Sequence, residues 1–451
     1  MELLNSISDW LISVSDAVCN YPEFVLLIGG GLYLFIYSKG VSVRLFPEAL
    51  RALRQSRASR QGKSSGQISS VQALLSAIAA TVGMGNIAGV AIALTIGGPG
   101  VIFWMWVSAI VGMSTKFFEG SLAVMYKGVD SEGQPQGGPM YMIDKGLGKR
   151  WHPMAVAFAV FGLVGTLSLM QANQLVEAAT TVFTTPAGVA NTATLRAVMG
   201  LVIAVIVGIV VLGGIKRIAS WASRIVPLMV ALYFMLVGTI VVLNIGRLPD
   251  VLLGILRDAF NWDAGLGALA GIAVIGARRA AFVNEAGIGT ASMMHGASRN
   301  TDARREGLVA MLGPMIDSGI VCTLTAIPIL LAGSYAGVTD VKGLYVALNS
   351  YAELLPGYGQ YLLMAIVFFF AFSTMFSYSY YGQKCTNYLF GANRVKYYNY
   401  YYLAMLVVGA VIPLGTMVAV MDLAFFLMAM CTMTTLILLA PRVKQLTRFK
   451  A

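Results

Sequence analysis

Apolar runs of roughly twenty residues recur from one end of this 451-residue chain to the other, and they limit its fold more than any other feature. A helix rises 1.5 Å per residue, so a run of about 20 crosses a hydrocarbon layer about 30 Å thick. Inside that layer each backbone amide and carbonyl must find its partner within the protein, which leaves helices or closed barrels. Runs this long are helical. The composition agrees, with 58% of residues hydrophobic and 11% charged, against about 25% charged in an ordinary soluble domain. The sequence therefore predicts an all-α integral membrane protein of one domain over residues 1–451.

Reading the runs between charged or turn-rich breaks gives eleven transmembrane helices, near 22–38, 69–95, 99–122, 154–183, 195–214, 223–245, 265–292, 306–332, 358–382, 397–416 and 418–440. Lysines and arginines fall mainly on alternate connections. Seven lie between Lys39 and Lys63, four between 126 and 151, three in each of 214–224, 297–306 and 383–396, and four after Pro441. The opposite face has only Arg196, Arg247, Arg257 and Lys342. This asymmetry predicts a plasma (inner) membrane protein with its N-terminus outside and its C-terminus in the cytoplasm. It also accounts for the net charge of +11 without nucleic acid. The first twenty residues carry Glu2, Asp9 and Asp16 but no Lys or Arg, so no cleavable leader is expected. Cys19, Cys322, Cys385 and Cys431 have neither metal-site nor disulfide-framework spacing. The stretch from Lys39 to Gly66 reads as a basic amphipathic helix on the cytoplasmic lipid surface, and Pro249 to Trp262 as its outer counterpart.

Setting aside the leading helix at 22–38 leaves two sets of five, 69–246 and 265–440, which would form an inverted repeat. Each set opens on an interrupted helix: Thr81-Val-Gly-Met-Gly-Asn86 in the first, Gly271 to Gly289 in the second. A break at membrane depth is tolerated where the freed backbone faces protein, water or a ligand. Gly83 and Gly85 have an alternative role as close-packing glycines, but packing does not require the polar Asn86 beside them. Gly89 fits the packing role.

The run Thr81 to Ala91, TVGMGNIAGVA, followed by Gly97 to Trp106, GGPGVIFWMW, resembles the alanine or glycine:cation symporter family, also called sodium:alanine symporters. KFFE at Lys116 to Glu119, GGPMY at Gly137 to Tyr141, GIKRI at Gly214 to Ile218, FVNEAGIG at Phe282 to Gly289 and YYG at Tyr380 to Gly382 extend the resemblance from about Ser69 to Gly391. Two departures stand out. Val283 replaces the family's frequent Ser, with Thr290-Ala-Ser292 in place of Ser-Ala-Pro, and Tyr378 replaces a common Trp.

The resemblance implies a leucine-transporter-like 5+5 inverted repeat with one extra leading helix, and cation-coupled uptake of a small neutral amino acid such as alanine or glycine. On that basis the substrate carboxylate is expected at the Met84 and Gly85 amides, within a site that includes Thr81, Gly83 and Asn86. Sodium is expected at the carbonyls of Ala79 and Val82 with Ser373 and Thr374, although such hydroxyls also bond back to the preceding turn. Gln171 and Asn284 are candidate substrate contacts; Asn173 and Gln174 serve equally as helix glue. Glu177 reads as structural or gating. Phe282, Phe370 and Tyr378 are candidate walls, each with ordinary packing as its alternative. Arg278, Arg279, Asn284, Glu285 and Asp317 form a charged group within the spans, with Arg279 and Glu285 read either as a pair holding the seventh helix or as a static buried network. No cofactor beyond the co-transported ion, no nucleic acid and no obligate protein partner is expected. His152 and His295 without an HExxH motif give no catalytic constellation, so an enzyme is not expected. A larger substrate such as glutamine, proton coupling, or an ion channel are the alternatives.

Overall fold

The computed structural model describes residues 2–19, 21–58, 67–261, 265–337 and 343–448. Expectations that touch Lys63, Trp262 and Lys342 lie outside them. Eight helices among the described residues are long and apolar enough to cross a membrane: Ser8–Tyr37, Val101–Met125, Lys149–Thr184, Ala193–Val211, Gly214–Leu243, Ala303–Ala332, Gly359–Phe390 and Leu414–Thr447. A ninth crossing is the bent pair Ser70–Thr81 and Met84–Gly97. The two remaining expected spans are helices, but each departs from a plain crossing. Gly265–Asn284 contains Arg278 and Arg279 and ends in a glycine-rich turn before Thr290–Gly296. Val395–Val411 has 17 residues, about 26 Å of rise against a core of about 30 Å.

Five features depart from expectation. The leading helix begins well before residue 22: Glu2–Cys19 packs along Leu414–Val443, with the Ser8 and Thr416 hydroxyls 2.5 Å apart. The basic helix Phe46–Ala58 is not simply laid on lipid, because Glu48 accepts a 2.5 Å bond from Arg304 and docks it on Ala303–Ala310. The span near 154–183 divides into His152–Gly165 and Leu169–Ala179. The hydroxyls of Thr166 and Ser168 at that division meet those of Tyr398 and Tyr402 from Val395–Val411. An unexpected helix, Gly343–Leu354, seats Gly343 so tightly against Ala88 that a Cβ there would lie 2.0 Å from its carbonyl oxygen. Leu248–Ala259, expected as an outer surface helix, also closes the start of Val101–Met125, where Asp258 accepts from the Gly100 amide at 2.7 Å.

On the lysine-rich face a short hairpin, Gly128–Val129 with Pro135–Gln136, ties several helices together. Lys127 donates to the Ser298 and Asn300 carbonyls at 2.6 and 2.8 Å, Asn387 donates to Asp130 at 2.9 Å, and Lys384 donates to Gln136. Burial acts against the Asp130 carboxylate, but hydrogen bonds from Asn387, Gln134, Glu132 and Gln136 outweigh it and hold its pKa below the usual value. Its stabilisation is therefore present above the ordinary aspartate range and lost as pH falls through the lowered pKa.

Candidate functional site

The first interruption lies where the sequence places it. Ser70–Thr81 makes its last helical bond from the Val82 amide to Ile78, the chain is extended through Val82 and Gly83, and Met84–Gly97 leaves at 47° to the first half. Gly83 is needed for space, since a Cβ there would stand 2.6 Å from Thr374 Oγ1. Asn86 repairs the break. Its Oδ1 accepts from the Gly83 amide at 2.9 Å, and its Nδ2 donates to Asp317. The Met84 and Gly85 amides, on the first turn of the new helix, have no acceptor among the described residues. They are the free donors that a helix start offers to an anion.

The second interruption follows Asn284. Glu285, Gly287 and Gly289 have φ of 52°, 95° and 99°, which turns the chain out of one helix and into Thr290–Gly296. A glutamate in this left-handed region costs about 1–3 kcal/mol, so neighbours must fix it. Lys116 donates to its carbonyl at 3.1 Å, Thr290 to its Oε2 at 2.5 Å, and Tyr378 to its Oε1. Glu119 accepts from the Gly287 amide at 2.5 Å and stands 3.9 Å from Lys116. KFFE is thus the brace of the second break, a role the sequence reading did not assign. Two ionisable residues at i and i+3 inside an apolar run were the available signal.

Between the breaks lies a cavity of about 40 Å³ lined by Thr81, Gly83, Gly85, Gln171, Phe282 and Tyr378, together with Met170, Glu285 and Asp422. Six of the ten expected substrate residues therefore converge. The Gln171 Oε1 is buried without a donor among the described residues. Met84 and Asn86 lie just behind this lining, in the helix start itself. Asn284 does not line the cavity: it donates to Ser318 at 3.1 Å and accepts from the Ala286 amide at 3.0 Å. Nor is Phe370 a wall, since its ring packs edge-on against Tyr233 with centroids 5.5 Å apart.

Of the expected cation ligands, Val82 and Thr374 come together, with Thr374 Oγ1 donating towards the Val82 carbonyl at 3.4 Å. Ser373 and Thr374 also bond back to the Phe370 carbonyl, each at 3.0 Å. Ala79 is buried in the same helix. Arg279 and Glu285 do not pair. Arg279 Nη2 instead donates to the Gly85 carbonyl at 3.0 Å and occupies the notch at Gly89, where a Cβ would fall 0.9 Å from it. The arginine precedes the turn and points to the first broken helix, whereas Glu285 is already inside the turn. Gly89 is a packing glycine, but its partner is a guanidinium.

Beyond Phe282 the site opens into a vestibule of about 1300 Å³ that reaches Glu177, Arg196, Arg278, Arg279 and Asp422. Glu177 and Arg196 pair at 2.6 Å in the vestibule wall, and Asn173 donates to the Gly409 and Ile412 carbonyls at 3.0 and 2.9 Å, as helix glue. The opposite end is sealed. His295 and Glu306 pair at 2.6 Å, both buried, and Ser70 donates to Glu306 at 2.6 Å, clamping the first half of the first interrupted region to the second half of the other.

This chain matches, over residues 4–450, the profile of the family described as the sodium:alanine symporter family. The sodium/alanine symporter AgcS of Methanococcus maripaludis is 37% identical over 95% of this chain and 94% of its own length. The probable sodium/glutamine symporter GlnT of Bacillus subtilis is 34% identical over 94% of this chain and 87% of its own. The putative sodium/proton-dependent alanine carrier protein YrbD of the same organism is 35% identical over 85% and 79%.

Proposed function

The chain belongs to the sodium:alanine symporter family, and from that premise we propose that it imports a small neutral amino acid, alanine or glycine, together with sodium by alternating access. The observation that carries the reading is the pair of complementary groups at the central cavity. Gly85 lines the cavity with an unclaimed amide, beside that of Met84 in the same helix start, and Gln171 lines it with an unclaimed carbonyl oxygen. A carboxylate suits the amides and an ammonium suits the oxygen. Thr81, Gly83 and Asn86 shape the carboxylate end, while Phe282 and Tyr378 bound the side-chain end.

Size supports alanine or glycine over glutamine. The cavity of about 40 Å³ is bounded by Phe282 and Tyr378, so a short side chain meets less resistance there than a carboxamide arm. Sodium takes hard oxygen ligands, and the carbonyls of Ala79 and Val82 with Ser373 and Thr374 supply them at the first break. Counting Gly265–Asn284 with Thr290–Gly296 and Val395–Val411 as crossings gives eleven spans. On this reading they form a leading helix and two inverted five-helix units, 69–246 and 265–440, in a leucine-transporter-like arrangement. The lysine-rich face is cytoplasmic, so the N-terminus and the vestibule lie outside.

Uptake of labelled alanine, glycine and glutamine into proteoliposomes tests substrate and driver together. Accumulation of alanine or glycine under an imposed sodium gradient, saturable and absent under a proton gradient alone, is the expected result. Glutamine-selective uptake would remove the substrate assignment, and non-saturable sodium flux without amino acid would indicate a channel.

A further inference from the structure

The helix Phe46–Ala58 presents two faces of different character. Ala49 and Ala52 are buried against the protein, with Glu48 beside them holding Arg304. Pro47, Leu50, Arg51 and Arg54 follow the i, i+3, i+4, i+7 spacing of the opposite side, and all four are exposed. Neither arginine has a carboxylate partner among the described residues. Val43, one turn before Pro47, is 59% exposed and Leu50 is 42% exposed, so an apolar row runs beside the basic one. The helix starts at Phe46, shortly after the leading span ends at Tyr37, which keeps it at the surface of the bilayer on the lysine-rich side. A mixed apolar and basic face in that position matches the boundary between acyl chains and anionic headgroups.

The same helix is joined to the inner clamp. Arg304, buried in the first turn of Ala303–Ala310, donates through Nη2 to Glu48 at 2.5 Å and through Nη1 to the Leu446 carbonyl at 2.5 Å and to the Arg448 carbonyl. Two residues further on, Glu306 accepts from Ser70 and pairs with His295. A displacement of Phe46–Ala58 therefore acts on the helical turn that carries the clamp.

We propose that the outer face of Phe46–Ala58 is a docking surface for anionic phospholipid headgroups, and that lipid bound there holds the inner clamp closed through Glu48 and Arg304. A soluble phosphate would satisfy Arg51 and Arg54 but leave Val43 and Leu50 in water, whereas a phospholipid covers both rows. The link to the clamp rests on the alternating-access reading, but neither measurement below uses amino acid or sodium, so each can fail independently of transport. Native mass spectrometry of the purified full-length protein in detergent should show phosphatidylglycerol retained in preference to phosphatidylcholine, with retention about thirtyfold weaker in R51Q/R54Q. Equal retention by the double variant, or displacement of the lipid by glycerol phosphate at the same concentration, would overturn the surface. For the link, T181C places a thiol in the vestibule and should react with a maleimide at least about threefold faster in vesicles containing phosphatidylglycerol than in vesicles of phosphatidylcholine alone. E48A, which releases Arg304, should remove that difference while the lipid is still retained. Equal labelling in the two kinds of vesicle, or a lipid effect that persists in E48A, would overturn the link.

Discussion

Gly83, Gly85 and Gly89 fall within seven residues of one another and do three different jobs. Gly83 admits Thr374, Gly89 admits Arg279, and Gly85 has only Val283 nearby, 3.8 Å from the position of a Cβ. Alanine should therefore be tolerated at Gly85, where sodium-driven alanine uptake should stay within about threefold of wild type, a loss under 1 kcal/mol. G83A forces Thr374 to move and should reduce uptake at least tenfold, about 1.4 kcal/mol or more, with weakened sodium activation. G89A evicts the guanidinium and should do comparable damage. G85L places a long side chain in the cavity and should abolish uptake while expression is retained. Equal loss in all three alanine variants would mean that helix flexibility, not the space each glycine leaves, sets the phenotype.

At the scale of the helix, the sequence disclosed what periodicity and residue chemistry encode and withheld what depends on partners. Glycine beside a buried asparagine marked the first break correctly, because neither suits an uninterrupted membrane helix. The second was legible only as a broad region, since Gly271 continues the helix and the turn comes later, at Glu285, where Lys116, Thr290 and Tyr378 hold a glutamate in a glycine-like conformation. Thr166 to Ser168 gave no warning at all, because the tyrosines that meet that division arrive from more than two hundred residues away. The pairing of Arg279 failed for a related reason: sequence proximity suggested Glu285, and the fold supplied a backbone carbonyl. The inner clamp follows the same logic. With His295 and Glu306 both buried, H295A removes a hydrogen-bond partner of a buried carboxylate, and loss of about 1–3 kcal/mol is expected. Thermal unfolding of purified H295A should show a clear fall in midpoint, and E306Q made on the H295A background should recover part of it. No recovery in the double variant would mean that the two residues are not coupled.

For the molecule as a whole, the two ends of the central cavity are unequal. One end meets a 1300 Å³ vestibule with Phe282 as the only wall common to the large and small spaces among the aromatic residues, while the other is blocked by the His295–Glu306 clamp and the hairpin tied to Lys127, Asn387 and Lys384. This arrangement has access from the face poor in lysine and arginine. Transport to the opposite face then requires the clamp and hairpin to separate as the vestibule closes, since a site open at both ends would conduct rather than couple. The four native cysteines are buried, so an introduced thiol reports with little background. T181C lines the vestibule and should react in intact cells with a membrane-impermeant maleimide. In H295A, where the inner clamp is broken, the population should shift towards the inward-open form, and T181C labelling should fall at least about threefold, a shift near 0.65 kcal/mol. Unchanged labelling in the H295A background would uncouple the clamp from access. Labelling of T181C only after the cells are opened would reverse the orientation deduced from the charges.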